Sequence, residues 1–423
     1  ERNTMIELDA LWRNPRFARI NGTEVRVPFG IDLSPSLVEP IQKWITFSGL
    51  EYAAKRVKAL KTWAIQILSG NKQYSEPWIS YTHFKGYQIP KLELFFMLVN
   101  HLHDLKIIKK VLCILNSYRM TMIGKPSLDA ITGTEKSNES GPYIQKLMLY
   151  TSLPKIPKFV LESTEAIDSK TKFCDDMGRT FDGPIGQLED DFLRFMGASL
   201  DPKCLGRIIP IPDKGKWRNI CVGHHLIQLK VKKLADWLRQ WLWNQPEIAS
   251  GKQSKMSEFI IRSLQCDRYM LSIDLSEATD RLSRELQVKI LEYMGVPRGF
   301  FSFLELPCYY REKDFGGKSD ELLKVRYSNG QPMGLYVSFP MFELAHYVLL
   351  KWVTAPYKAE FSICGDDCVI ACEVEESSKI YSRYTEIIRR FGGKIATSKT
   401  LRSSRVAEGV GALFIKGIPK EIR

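Results

Sequence analysis

The sequence contains no apolar run near the ~18 residues that a membrane-spanning helix needs; its longest candidates, such as Leu94–Val99, read as buried helix instead. It contains no CxxC pair, and only 6 histidines are spread over 423 residues. The 9 cysteines are scattered, apart from Cys364, Cys368 and Cys372, which recur at every fourth position. With no clustered histidine to complete a ligand set, these three read as small residues on two adjacent strands rather than as a zinc site. His224 and His225 are neighbours that would point apart on a strand, so they too read as structural. An odd count of thiols fits a reducing compartment. There is no internal repeat and no low-complexity tract, so repeat architectures and biased linkers do not apply.

What is present points to a polyanionic partner. Lys and Arg number 61 against 48 acids, a formal net charge of +13; nucleic acid and an anionic membrane surface both fit that balance. With 44% hydrophobic and 11% aromatic residues the chain can bury a large interior, which argues against overall disorder. Its 423 residues exceed one small core, so two or three domains are expected. The chain opens at Glu1 rather than Met, which reads as a trimmed start.

Residues 1–200 read as mainly helical with irregular breaks. In Glu51–Leu68, Val57, Leu60, Ala64 and Ile67 recur at helical spacing, while Lys55, Arg56, Lys58 and Lys61 crowd other faces. A basic face of this kind is more often solvated than bound to RNA, and it is read so here. Gly124–Gly141 reads as a mobile loop, and a second loop runs near Cys174–Gly186. In the second half, Arg268–Asp274 is a short apolar strand ending in a carboxylate. Leu282, Leu286, Ile290 and Met294 form a helical stripe stopped by Gly295 and Pro297. Phe339–Val353 is apolar nearly all round, as a buried helix is. Phe361–Cys364 and Cys368–Cys372 flank Gly365-Asp366-Asp367 as the arms of a β-hairpin. Ile380, Tyr384, Ile387, Ile388 and Phe391 then stripe a helix that Gly392 ends. This order predicts a compact α+β unit presenting acids from two separate strands on one side.

Carboxylates clustered on rigid elements suit divalent cations. Two such ions about 3.5–4 Å apart can activate an attacking hydroxyl and hold the leaving oxygens of a phosphoryl transfer. Asp274 at a strand end and Asp366-Asp367 at a hairpin tip are candidates. A Gly-Asp-Asp alone is a weak signal, because acidic turns are common. Its company is specific. Asp274-Leu275-Ser276-Glu277-Ala278-Thr279-Asp280 is followed by Gly330-Gln331-Pro332-Met333-Gly334, then Ser338, the Gly-Asp-Asp turn, and Ser398-Lys399-Thr400. In this order and spacing they resemble motifs A, B, C and D of viral RNA-dependent RNA polymerases. The likeness is to the mitovirus, narnavirus and ourmiavirus group, related to the RNA-phage replicases. The motif A form and the stretch from Gly330 to His346 look most like mitoviruses. The resemblance spans roughly residues 205–417.

The resemblance implies an α+β right-hand polymerase of palm and fingers, with a thumb absent or truncated at Arg423. It implies a mainly helical N-terminal extension or fingers over 1–200 and fingers with motif F over 201–262. The palm would occupy 263–400 with a fingers-side insertion at 296–329, and motif E with the start of a thumb 401–423. Carried over by position, Asp274 and Asp366 would bind two Mg2+ ions (or Mn2+), supported by Asp367. Asp280 and Ser338 would sit near the sugar of the incoming nucleotide, with Gly334 in the same nucleotide-binding set. Lys399 has the place of the motif D lysine that protonates departing pyrophosphate. Arg207, Lys214, Lys216 and Arg218, in a segment broken by Pro210, Pro212 and Gly215, resemble motif F over the nucleotide channel. There Arg grips triphosphate oxygens bidentately and Lys acts as a movable point charge. Glu408–Lys416 resembles motif E, near the primer end.

The expected partners are template and product RNA and ribonucleoside triphosphates, in the mitochondrion or cytoplasm of a host cell. Two departures stand out: the motif A acids are six positions apart, and Phe342 stands where many relatives carry Asn. Two alternatives remain. A reverse transcriptase is disfavoured by Gly365 and by Asp280, a short acid where such enzymes place a bulky aromatic. A catalytically dead RNA-binding module is disfavoured because every metal acid is present.

Overall fold

A computed structural model of the chain describes residues 18–20, 23–25, 34–90, 125–133, 141–161, 204–213, 216–418 and 421–422. Leu94–Val99, Cys174–Gly186 and Lys214 lie outside them.

The described chain opens with β1 (Ala18–Ile20) and β2 (Thr23–Val25), then α1 (Ser34–Ser69), β3 (Tyr81–Phe84) and β4 (Tyr87–Pro90). Helix α1 starts earlier than residue 51 and is broken at Gly49, whose φ of 83° and ψ of 164° are not helical; a residue without a Cβ adopts them without a steric penalty. Past the break the expected stripe is buried through Val57, Leu60, Ala64 and Ile67. The Trp63 indole, wholly buried, donates to the Gln88 carbonyl at 2.7 Å and fastens α1 to β4.

Short helices α2 (Asp129–Thr132) and α3 (Gly141–Met148) follow. Helix α2 corrects the expectation of a loop at Asp129–Thr132, while residues 134–140 of the same expected loop lie outside the described ones. Ile131 is fully buried there and its carbonyl accepts from the Ser328 amide at 2.9 Å, so one apolar anchor overrides the loop-like composition.

The rest runs β5 (Gly206–Asp213), β6 (Lys216–Gly223), α4 (His225–Trp243), α5 (Ser254–Gln265), β7 (Tyr269–Ile273), β8 (Leu275–Ser276), α6 (Ala278–Arg281) and α7 (Arg284–Tyr293). Then come β9 (Cys308–Arg311), β10 (Leu322–Val325), α8 (Ser338–Thr354), β11 (Glu360–Cys364), β12 (Asp367–Cys372) and α9 (Val374–Arg390). Strands β13 (Lys394–Ile395), β14 (Leu401–Ser403), β15 (Val406–Gly409) and β16 (Ala412–Ile415) close the described chain. His224 and His225 sit where β6 passes into α4 rather than together on a strand.

Two four-stranded sheets organise these elements. One has the order β11-β12-β7-β14 and is antiparallel throughout. The other has the order β10-β9-β5-β6, with β5 and β9 parallel. The central helix is α8, packed against α3, α4, α7 and α9. Being surrounded, it buries Met341, Phe342, Leu344, Ala345, Val348, Leu349 and Leu350 on every side, which is why its sequence lacks an amphipathic period. Helix α9 packs one face only and shows the clean stripe: Ile380, Tyr384, Ile387, Ile388 and Phe391 are buried, and Gly392 at φ 77° ends it. This is the order of elements that periodicity predicts, and the α+β class holds. Among the described residues no helix is long and apolar enough to cross a membrane.

One buried acid gives the fold a pH signature. Asp280, in α6, is 6% exposed. Burial pushes its carboxyl up to about 7, with the Tyr327 hydroxyl beside it offsetting part of the rise. A carboxyl raised on folding adds stability that is complete below its ordinary value of 3.8 and is lost as the pH climbs to about 7. Asp280→Asn removes that titration. Its melting temperature should therefore gain on the wild type between pH 5 and pH 7.5, as thermal melts at the two values will show; a constant difference would mean that Asp280 ionises without cost.

Candidate active site

Strand register delivers the acids. Ile273 on β7 pairs with Cys368 on β12, so one step along the same ladder brings Asp274 and Asp367 to one end of the sheet. Asp366 directly precedes Asp367, in the two-residue turn Gly365-Asp366 closed by the pairing of Cys364 with Asp367. Gly365 has φ 64°, a backbone conformation that favours glycine, and a Cβ on it would stand 2.8 Å from the ring of the exposed Phe339. Cys368 and Cys372 lie buried on β12, and Cys364 ends β11.

Helix α8 grips this turn from beneath. The Gly365 amide donates to Glu343 Oε1 at 2.9 Å, and the Gly365 carbonyl accepts from His346 Nδ1 at 2.8 Å. His346 Nε2 lies 2.7 Å from the Tyr384 hydroxyl and accepts from it, because Nδ1 carries the proton. Burial lowers the His346 pKa to about 4, so the imidazole is neutral. The second Glu343 oxygen accepts from Ser250 Oγ at 2.7 Å. Both polar backbone groups of Gly365 are thus held by side chains of one helix.

Further bonds fix the other acids. Asp367 Oδ2 accepts from the Val410 amide at 3.1 Å, at the turn between β15 and β16 where Val410 and Gly411 have φ of 49° and 70°. The Asp274 carbonyl accepts from the Ala396 amide at 2.8 Å, while its carboxylate forms an ion pair with Lys399. The loop bearing Lys399 is tied in turn to α1: Gln66 Nε2 donates to the Ser398 and Thr400 carbonyls at 3.1 and 3.0 Å.

These groups line a cleft of about 500 Å3. Asp274, Asp366, Asp367 and Glu408 supply its negative wall; Lys216 and Arg218 from β6, Lys399, and Lys58 and Lys61 from α1 supply the positive one. Arg218 Nε pairs with Asp213 Oδ2 at 2.5 Å. Burial raises the pKa of Asp366, and the Asp274 charge raises it further. Asp367 is pushed up to about 6 by burial first, then by Asp366 and Asp274. Oxygen donors that repel one another in this way suit a hard divalent cation, which would relieve both penalties. As the side chains stand, no three His, Cys, Asp or Glu among the described residues converge on one point: Asp274 is engaged with Lys399 and Asp367 with Val410.

Of the residues singled out from sequence, Asp274, Asp366, Asp367, Lys399, Lys216 and Arg218 meet in this cleft. The others lie elsewhere. Arg207 is buried and pairs with Asp314 at 3.3 Å. Ser338 is buried, with Oγ donating to the Pro332 carbonyl at 2.6 Å. Gly334, at φ 114°, allows close backbone approach, since a Cβ there would meet the Cys221 carbonyl at 2.3 Å. Asp280 sits under the motif B loop, where its carbonyl accepts from the Gly330 amide at 3.2 Å. Sequence reasoning passed over Glu343 and Gln66, named His346 only as the end of a motif stretch, and assigned Lys58 and Lys61 to solvent. Glu343 left a trace, as a lone acid in a nearly all-apolar helix.

Glu343→Ala should leave the Gly365 amide and the Ser250 hydroxyl without their acceptor, costing about 1–3 kcal/mol. Chemical denaturation measures the loss, and Glu343→Gln, which keeps one acceptor, should lose less. Hydrogen exchange at Gly365 should accelerate in the alanine variant; unchanged stability and exchange would show that the turn holds itself.

A family model described as mitovirus RNA-dependent RNA polymerase matches residues 120–410. The RNA-directed RNA polymerase of Cryphonectria parasitica mitovirus 1 is 28% identical over 220 residues, covering 48% of this chain and 26% of that protein. An uncharacterized mitochondrial protein of Arabidopsis thaliana is 29% identical over 163 residues, covering 35% of this chain and 77% of its own. The chain therefore matches about a quarter of the viral relative's length. A solved structure described as an RdRp complex shares the fold with a TM-score of 0.54 at 9% identity, over 91% of this chain and 42% of that one. Motifs, register and family model converge: the chain belongs to the mitovirus RNA-dependent RNA polymerase family.

Proposed function

We propose that this chain carries the nucleotidyl-transfer centre of an RNA-templated RNA polymerase, using ribonucleoside triphosphates to copy a positive-strand viral genome. The observation that carries the reading is the cleft in which Asp274, Asp366 and Asp367, from two strands, face lysines and an arginine from separate elements. Asp274 and Asp366 are the groups to hold two divalent ions, Mg2+ or Mn2+, with Asp367 beside them. Bound there, such ions would activate the 3′-hydroxyl and stabilise the departing oxygens. Lys216 and Arg218 then face the triphosphate. Lys399 is a proton donor for pyrophosphate once its ion pair with Asp274 opens. Template and product RNA are held by dispersed Lys and Arg, in keeping with a net charge of +13.

Ribose selection is assigned to Asp280. Its buried carboxyl, with the Tyr327 hydroxyl beside it, keeps acceptor capacity for a further donor. A ribose 2′-hydroxyl is such a donor; reaching it requires the motif B loop above Asp280 to shift. The name of the plant relative places that protein in mitochondria, and we infer a mitochondrial location for this chain in preference to the cytoplasm. UGA codons at its Trp positions in the coding sequence would support that.

Two measurements test the activity. Asp274→Asn or Asp366→Asn should abolish primer extension on an RNA template while RNA affinity stays within about twofold, because affinity resides in dispersed cations; extension within tenfold of wild type would remove the two-ion assignment. Asp280→Ala should lower CTP use about ten- to a hundredfold more than dCTP use, the value of one charge-assisted hydrogen bond. Equal losses with both sugars would leave Asp280 a structural acid.

A further inference from the structure

We propose that Lys58 and Lys61 of helix α1 form a polyphosphate-binding wall of the cleft, contacting the triphosphate of the incoming nucleotide and then the pyrophosphate. This rests on the polymerase reading and extends its substrate site to a helix more than 200 residues ahead of Asp274 in sequence.

Geometry sets these lysines apart from an ordinary basic face. The helix buries Val57, Leu60, Ala64 and Ile67 against the body, and the intervening positions carry Lys58 and Lys61 over the cleft that holds the three acids. The helix is anchored at this place, not loosely apposed: Trp63 is bonded to Gln88, and Gln66 holds the carbonyls on both sides of Lys399. Elsewhere on the same helix Lys55 is neutralised by Glu51 at 2.8 Å. Lys58 and Lys61 form no ion pair among the described residues, and neither does Lys216 across the cleft. Burial lowers the Lys58 pKa first and the Lys399 charge lowers it further, while Asp274, which lines the same cleft, offsets part of the fall.

Lys399 repels both Lys58 and Lys216, and Lys61 repels Lys58 as well, so a compact, densely negative ligand entering among these cations relieves that repulsion. A triphosphate answers that description, and divalent ions held by Asp274 and Asp366 would offset its repulsion from the acids. A volume of about 500 Å3 suits one nucleotide. An RNA strand would need an open track of cations along the surface instead. Lysine suits a phosphate chain that changes position during transfer, because its ammonium is a point charge on a flexible stem.

The test uses the whole chain, with Lys58→Ala, Lys61→Ala, the double variant, and arginine at both positions. Titration with inorganic tripolyphosphate in Mg2+ buffer reads the wall without requiring synthesis. Each single alanine variant should bind it roughly tenfold more weakly and raise the KM for rNTP by a similar factor. Turnover should change by less than about threefold, RNA affinity by less than about twofold, and arginine should restore binding. Thermal melts confirm that the variants fold; both lysines are at least partly open to solvent, so their removal costs little. Unchanged tripolyphosphate affinity in the double variant overturns the proposal. So does a loss confined to RNA affinity, which would give these lysines to the template. If wild type binds tripolyphosphate through them yet extends no primer, the polymerase reading fails while the anion site stands.

Discussion

Like charges gathered at the end of a sheet push one another apart. Two unit charges about 4 Å apart repel by about 4 kcal/mol at an effective dielectric near 20, and this fold places Asp274, Asp366 and Asp367 in one cleft. Much of the surrounding structure resists that repulsion. The antiparallel ladder of β7 and β12 runs to Ile273 and Cys368, the neighbours of Asp274 and Asp367, and so fixes where those two acids emerge. The turn carrying the third is held at both polar groups of Gly365 by Glu343 and His346, whose own positions are set by the fully packed α8. Lys399 neutralises Asp274, and the Val410 amide solvates Asp367. Val410 adopts φ 49°, an uncommon conformation for a β-branched residue, to present that amide.

Legibility in the sequence followed the range of the interaction. The hairpin around Gly365, the stripe from Ile380 to Phe391 and the unbroken apolar run of α8 were readable because burial imposes a local period on each. Asp274 and Asp366 were readable because motif spacing carried them. Contacts joining distant segments left no period. Gln66 meets Ser398 across 332 positions, and nothing near Gln66 announces it. The lysines of α1 were assigned to solvent because composition reports a charged face but not what stands opposite. Ile131 shows the reverse error: inside a loop-like stretch one buried side chain anchors a short helix, which composition averages away.

Motif residues divide into two kinds once their contacts are known. Gly330 and Gly334 belong to motif B by pattern, and each lies where a Cβ would strike a carbonyl, at 2.2 Å from Asp280 and 2.3 Å from Cys221. Ser338 and Gln331 are buried and bonded to one another across the same loop. These residues shape a loop that crosses α6 and β6 at backbone contact distance, while the cleft is lined from other elements. A substitution at such a glycine would then act through loop position, and its effect on nucleotide use would be indirect. Asp280 lies at the boundary between the two kinds. Its carbonyl serves the loop and its buried carboxyl stands beside the Tyr327 hydroxyl, so the loop that covers it sets the access to that carboxyl.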